Sequence, residues 1–146
     1  MKKSGRLVVM IMLALSFCSC ENVFHNDKLD YLWRLDSVEY VDGVDLNGNP
    51  CTKEPKQGYW LSFARDLVKI DNKDNQFAAI GILTDNGDNL VFDFSMYEGL
   101  QKWNEIDNCL KAMGIESKVS SFRVDELNGK NLKLTGSKTI LRLTKW

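Results

Sequence analysis

The stretch QFAAIGILTDNGDNLVFDFSMY, residues 76–97, restricts the fold of this chain more than any other. Two runs of strand-forming residues, 77–84 and 90–96, flank Asn86-Gly87. Asn-Gly suits a tight primed turn, because both central residues of a type I′ hairpin need positive φ. In the second arm Leu90, Phe92, Phe94 and Met96 share one parity, while Val91, Asp93 and Ser95 share the other. One face is therefore dry and the other mostly wet. A lone hairpin of this kind is marginal in water, so its dry face has to be covered by further strands.

Those strands are legible on both sides. LWRLDSVE alternates, with Leu32, Arg34, Asp36 and Val38 on one parity and Trp33, Leu35, Ser37 and Glu39 on the other. Residues 41–58 read as a loop, dense in Gly, Asn and Asp and holding both prolines, Pro50 and Pro55. YWLSFARDLVKID follows as two strand segments broken by a turn at Arg65-Asp66, with Tyr59, Leu61 and Phe63 on one face. Between Glu98 and Gly114 the period changes. Leu100, Trp103, Ile106, Leu110 and Met113 recur at helical spacing, Gly114 suits a C-cap, and the stripe reads as the face of a lid packed on a sheet. The tail returns to short hairpins, and Phe122, Val124, Leu132, Leu134, Leu141 and Leu143 supply one apolar face. Residues 31–146 thus predict a mainly β domain, an antiparallel up-and-down barrel or half-barrel of about seven or eight strands with one inserted helix. Closure removes the unpaired edges that invite aggregation.

The N-terminus reads as an address. Lys2, Lys3 and Arg6 precede an apolar run from Leu7 to Phe17, interrupted only by Ser16. The run is too short for a membrane span, which takes about 20 residues, and fits the h-region of an export signal. Cleavage before Cys18 would leave bulky Phe17 behind, whereas cleavage before Cys20 leaves the small Ser19 and Cys18. Cys20 is therefore the expected lipid acceptor. Residues 1–19 become a lipoprotein signal peptide, residues 20–30 a lipidated N-terminus and tether, and the product a protein held by lipid in a bacterial cell envelope, at the outer membrane. Acyl chains contribute about 0.8 kcal/mol per buried methylene, so two or three of them make the attachment effectively permanent.

Charge and residue chemistry exclude more than they assign. The chain has 19 Lys plus Arg against 20 Asp plus Glu, and loss of the three signal cations leaves 16 against 20, a balance of −4. No basic field for nucleic acid exists. The only histidine, His25, lies in the tether, so there is no Ser-His-Asp triad, Cys-His pair or HExxH zinc site. DLNGNP from Asp45 offers oxygens at alternate positions, but Pro50 stands where a calcium loop needs glycine and Lys56 where it needs glutamate. No metal, cofactor or catalytic residue is implied. Cys51 and Cys109 read equally as a disulfide, worth roughly 3–4 kcal/mol by closing a long loop, or as two separate thiols with Cys109 buried.

The combination of SFCSCE, LWRL soon after it, and the closing LNGKNLKLTGSKTILRLTKW resembles the small lipocalin-like lipoproteins of Bacteroides-type bacteria. Lipocalins open their first strand with Gly-x-Trp; Trp33 fits and Tyr31 replaces the glycine. By position Arg142 matches the arginine that such proteins set over that tryptophan. The resemblance implies the barrel and little about activity. Trp33, Tyr59, Trp60, Phe92, Phe94 and Trp103, with Trp146, offer a ligand cavity for a small hydrophobic molecule, against the reading in which they simply fill a small barrel. The expected function is non-catalytic binding of a small hydrophobic ligand. The alternative is a filled barrel that meets another envelope protein.

Overall fold

The computed structural model describes residues 26–73, 77–96 and 103–146. The expected signal peptide (1–19), the lipid acceptor Cys20 and residues 21–25 of the tether lie outside the described residues, as does Leu100. A short helix, α1 (Asn26–Leu29), leads into β1 (Leu32–Tyr40), β2 (Lys53–Pro55), β3 (Tyr59–Ala64), β4 (Leu67–Asn72), β5 (Phe77–Asp85) and β6 (Asn89–Asp93). Helix α2 (Trp103–Ala112) precedes β7 (Val119–Leu127), β8 (Asn131–Thr135) and β9 (Thr139–Lys145). Every pairing is antiparallel: β1 pairs with β3, β3 to β9 pair each with the next, and β1 also pairs with β9, so eight strands close a barrel. The supernumerary strand is β2. It lies within the stretch read as loop and takes the part of the β1 edge that β3 leaves free: β3 pairs with Leu32–Arg34 and β2 with Ser37–Glu39. Tyr40 fastens it by donating its hydroxyl to Glu54, and burial together with that carboxylate holds the phenol pKa above its ordinary value.

The strand interiors follow the period-2 pattern with two departures. Leu61 and Phe63, Val68 and Ile70, Leu90 and Phe92, Leu132 and Leu134, Leu141 and Leu143 all point inward. In β1 the register shifts between Leu35 and Ser37. Trp33 and Leu35 are inward before the shift, Val38 and Tyr40 after it, although simple alternation puts Val38 with Arg34 on the wet side. A second shift, between Val124 and Glu126 in β7, moves Leu127 rather than Glu126 against the core. Each extra residue bends its strand, which is how a sheet curls far enough to close.

Turn chemistry explains two connections. Ala64 pairs with Leu67, leaving Arg65-Asp66 as a two-residue turn with Arg65 at φ 54°. The β5–β6 turn sits one residue later than Asn86-Gly87 predicts. Asn86 N–H donates to Asn89 C=O, the central pair is Gly87-Asp88, and only Gly87 has positive φ. Glycine at the first central position is the requirement of a type II′ turn, not I′.

Two helical pieces close the ends. Helix α2 buries Ile106, Cys109 and Leu110, and Met113 just after it is buried as well. It ends in a Schellman motif: Ile115 N–H donates to Leu110 C=O, Gly114 N–H donates to Lys111 C=O, and Gly114 takes φ +77°. The turn packs so closely on the barrel that a methyl group at Gly114 would stand 2.6 Å from Val38 Cγ1. At the end where β1 begins, Leu29 is fully buried and its carbonyl accepts the indole N–H of Trp33 at 3.0 Å. One continuous apolar cluster runs between the two closures.

Candidate functional site

The aromatic residues expected to line an interior cavity are used in three ways. Trp33, Phe92 and Phe94 are fully buried in the core cluster. Phe92 is its hub, with ring centroids 5.0 Å from Phe122, 5.7 Å from Phe63 and 6.5 Å from Phe94. Small residues make the room: a Cβ added to Gly81 would lie 2.6 Å from the Asp93 carbonyl oxygen and 2.8 Å from Phe94. Tyr59 is half-buried against the same cluster, with the Lys56 ammonium 5.8 Å from its ring centroid. Trp60 points outward, and the Trp103 side chain lies outside the described residues. The structure therefore does not gather the six around one interior space, because the rings on the inner face pack against each other.

An open site exists on the outer wall. Trp60 faces out from β3, beside Arg34 of β1 and Asp71 of β4 in the pairing register, and Asp71 in turn pairs with Ala78 of β5. Trp146 follows β9 and is held by its N–H donating to the Leu32 carbonyl. The two indoles meet edge to face, 6.3 Å apart with their planes at 83°. Between them opens a groove of about 420 Å³ lined by Leu32, Trp60, Trp146 and Ala78, with Asp71, Asn72 and Lys73 along one side. Cations lie on these rings: Arg34 at 5.7 Å from Trp146, Lys73 at 5.6 Å from Trp60, and Lys145 at 3.0 Å from Tyr31 beside them. A volume of this size suits a small ligand, and the apolar walls with few polar groups suit one that is largely hydrophobic.

The remaining expected residues sit elsewhere. Cys51 and Cys109 are free thiols. Cys109 is on the buried face of α2, where burial pushes its thiol pKa up to about 11, and Cys51 is half-buried in the loop before β2. The disulfide reading is thus replaced by two separate thiols, each packed against apolar neighbours. Arg142 is not set over Trp33. It points outward and donates to Glu39 at 2.6 Å, and this bond holds the Glu39 carboxyl below its usual range. The Asp45 oxygens accept from Asn47 N–H, Asn49 N–H and the Asn49 side chain, so the loop's own donors occupy them and hold its pKa down. Among the described residues, no three His, Cys, Asp or Glu side chains converge on a metal position.

Sequence reasoning missed how Leu32, Asp71, Lys73 and Ala78 contribute. Trp60, Asp71 and Ala78 become consecutive neighbours only across strands, with Leu32 two residues along β1 from Arg34, the partner of Trp60. DNKDNQ read alone is a solvated turn. The available signal was parity: Trp60 stands on the wet face of β3, out of step with Leu61 and Phe63.

Residues 13–146 match the lipocalin-like domain family. The chain belongs to that family. The lipocalin-like barrel superposes on a solved lipocalin-like protein from Bacteroides uniformis at TM-score 0.60 and 16% identity, over 82% of this chain and 99% of that one. An uncharacterised protein from Bacteroides eggerthii is similar at TM-score 0.59 and 15% identity, over 81% and 99%. At such identities the likeness concerns the fold. No protein of curated function matches the sequence. The lipocalin-like fold is typically one that binds rather than transforms, and it supports small-ligand binding in general terms.

Proposed function

We propose that this lipocalin-like protein is a non-catalytic binding protein, anchored in the bacterial envelope by lipid on Cys20, that holds a small hydrophobic ligand on its outer wall between Trp60 and Trp146. One observation carries the reading: the inward aromatics are consumed by a filled core, while two tryptophans are left facing a groove of about 420 Å³. Leaving large indole surface in water forgoes roughly 25 cal/mol per Å² of apolar area, an arrangement that a bound apolar ligand repays. Anchoring rests on the lipobox-like FCSC after an apolar run, and places the ligand site on a domain joined to the membrane by about ten residues of tether.

Native mass spectrometry of the chain from Asn22 onward, which lacks the lipid acceptor and is purified without detergent, tests ligand carriage. A co-purifying small molecule that is lost in Trp60→Ala and Trp146→Ala supports the groove. A bare mass, together with no fluorescence response to apolar probes, overturns it. Metabolic labelling with palmitate, abolished by Cys20→Ala, tests the anchor. The filled core also favours a second reading, a protein-interaction module. Leu67, Ile80 and Ile82 form an exposed apolar group on the outer wall of β4 and β5, where Leu67 pairs with Ile82. A partner captured in the envelope by cross-linking at Ile80, with the groove variants unaffected, would favour that reading.

A further inference from the structure

We infer that the groove takes an amphipathic anion, a flat apolar body bearing one acidic group, with the ring system against Trp60 and the acid beside Lys73. This rests on the groove being the ligand site and adds the chemical class. Among the described residues, two charged side chains line the groove, Asp71 and Lys73. Asp71 is already matched, its carboxylate 2.9 Å from the ammonium of Lys69. Lys73 differs: among the described residues its ammonium has the Trp60 ring beneath it, 5.6 Å from the centroid, and no carboxylate partner. At the opposite wall the guanidinium over Trp146 belongs to Arg34, which is matched by Asp36 at 2.8 Å. Among the described residues the groove thus presents apolar walls, one carboxylate matched by Lys69 and one cation without a carboxylate partner on the edge of its principal aromatic platform. A neutral apolar ligand would leave that cation beside a dehydrated surface with nothing to pair it, whereas an acidic group completes the pair and keeps the ring contact.

The test compares two dyes of one ring system, 1-anilinonaphthalene-8-sulfonate and the neutral N-phenyl-1-naphthylamine, titrated into the chain from Asn22 onward, which lacks the lipid acceptor. The expected result is that the sulfonate binds more tightly, on the order of fivefold at low ionic strength. Lys73→Met and Lys73→Gln should each abolish the difference while keeping the neutral dye. Lys69→Met should reduce the sulfonate affinity by releasing the charge of Asp71. Trp60→Ala, whose side chain lies outside the core, should lose both dyes with an unchanged circular dichroism spectrum. Equal binding of the two dyes, insensitive to Lys73, overturns the inference while the groove reading stands. Dye binding unaffected by Trp60→Ala and Trp146→Ala overturns both. Phosphatidylglycerol and phosphatidylcholine vesicles distinguish the source of the anion. Lys73-dependent recruitment to the anionic vesicles without binding of the soluble sulfonate makes the surface a membrane contact and overturns the ligand site.

Discussion

A methyl group at Gly114 would meet two barrel side chains, Val38 at 2.6 Å and Leu141 at 2.8 Å, at a backbone angle of φ +77° that L residues rarely adopt. Gly87 has a similar angle, φ +89°, with nothing within 4 Å. The pair separates conformational strain from packing. Gly87→Ala should cost about 1 kcal/mol and Gly114→Ala about 2–4 kcal/mol in urea unfolding. The Phe92 hub offers the complementary test of a filled interior. Phe92→Ala should cost about 3–5 kcal/mol and open an apolar cavity that takes up benzene, which the wild-type core should exclude. Cys109, with its thiol pushed up to about 11 and its side chain buried, should resist iodoacetamide at pH 8 while Cys51 is labelled. Failure of both to react until a reductant is added would restore the disulfide.

Helix α2 derives its place from its C-terminal turn. The Thr139 hydroxyl of β9 donates to the Gly114 carbonyl at 2.6 Å, a buried bond that ties the helix end to the barrel. Thr139→Val should leave that carbonyl without its partner and cost about 1–3 kcal/mol, with amide exchange accelerating in α2 before the strands. At the other end the Trp33 indole donates to the Leu29 carbonyl, and this bond together with the burial of Leu29 holds α1 on the barrel. The four-residue α1 has no independent helical stability and exists because the barrel end needs covering.

At the scale of the whole molecule, surface carboxylates make stability depend on acidity in a fixed direction. Asp125, bonded to the guanidinium of Arg123 and the hydroxyl of Thr135, is held well below the usual carboxylate range. Glu39 is lowered by Arg142, Asp45 by the amides of its loop, and Asp93 by Ser95. A carboxyl whose pKa falls on folding stabilises the native state above the unfolded pKa and loses that contribution as pH drops through the folded value. The urea midpoint should therefore be flat from pH 7 to about 5 and fall steadily below about pH 4, and Asp125→Asn should flatten part of that fall. A midpoint that rose on acidification would contradict the assignment.

The β character, the hairpin after β5, the amphipathic helix with its Gly114 cap and most of the core were legible in the sequence, because period and turn chemistry are local and act on neighbouring residues. Phe92, Leu134 and Leu141 announce their burial by alternation alone. The bulges in β1 and β7 were not legible, since an extra residue is needed only where the closing ring must bend, and that depends on the partner strand. The same limit placed β2 in a presumed loop, and the resemblance set Arg142 over Trp33 where the structure pairs it with Glu39. The site divides in the same way. Sequence supplied the aromatic residues, but which tryptophans fill the barrel and which face water is decided only when β1, β3, β4, β5 and the residue after β9 come side by side. Burial sent Trp33 inward, and the register of those strands left Trp60 and Trp146 to meet outside.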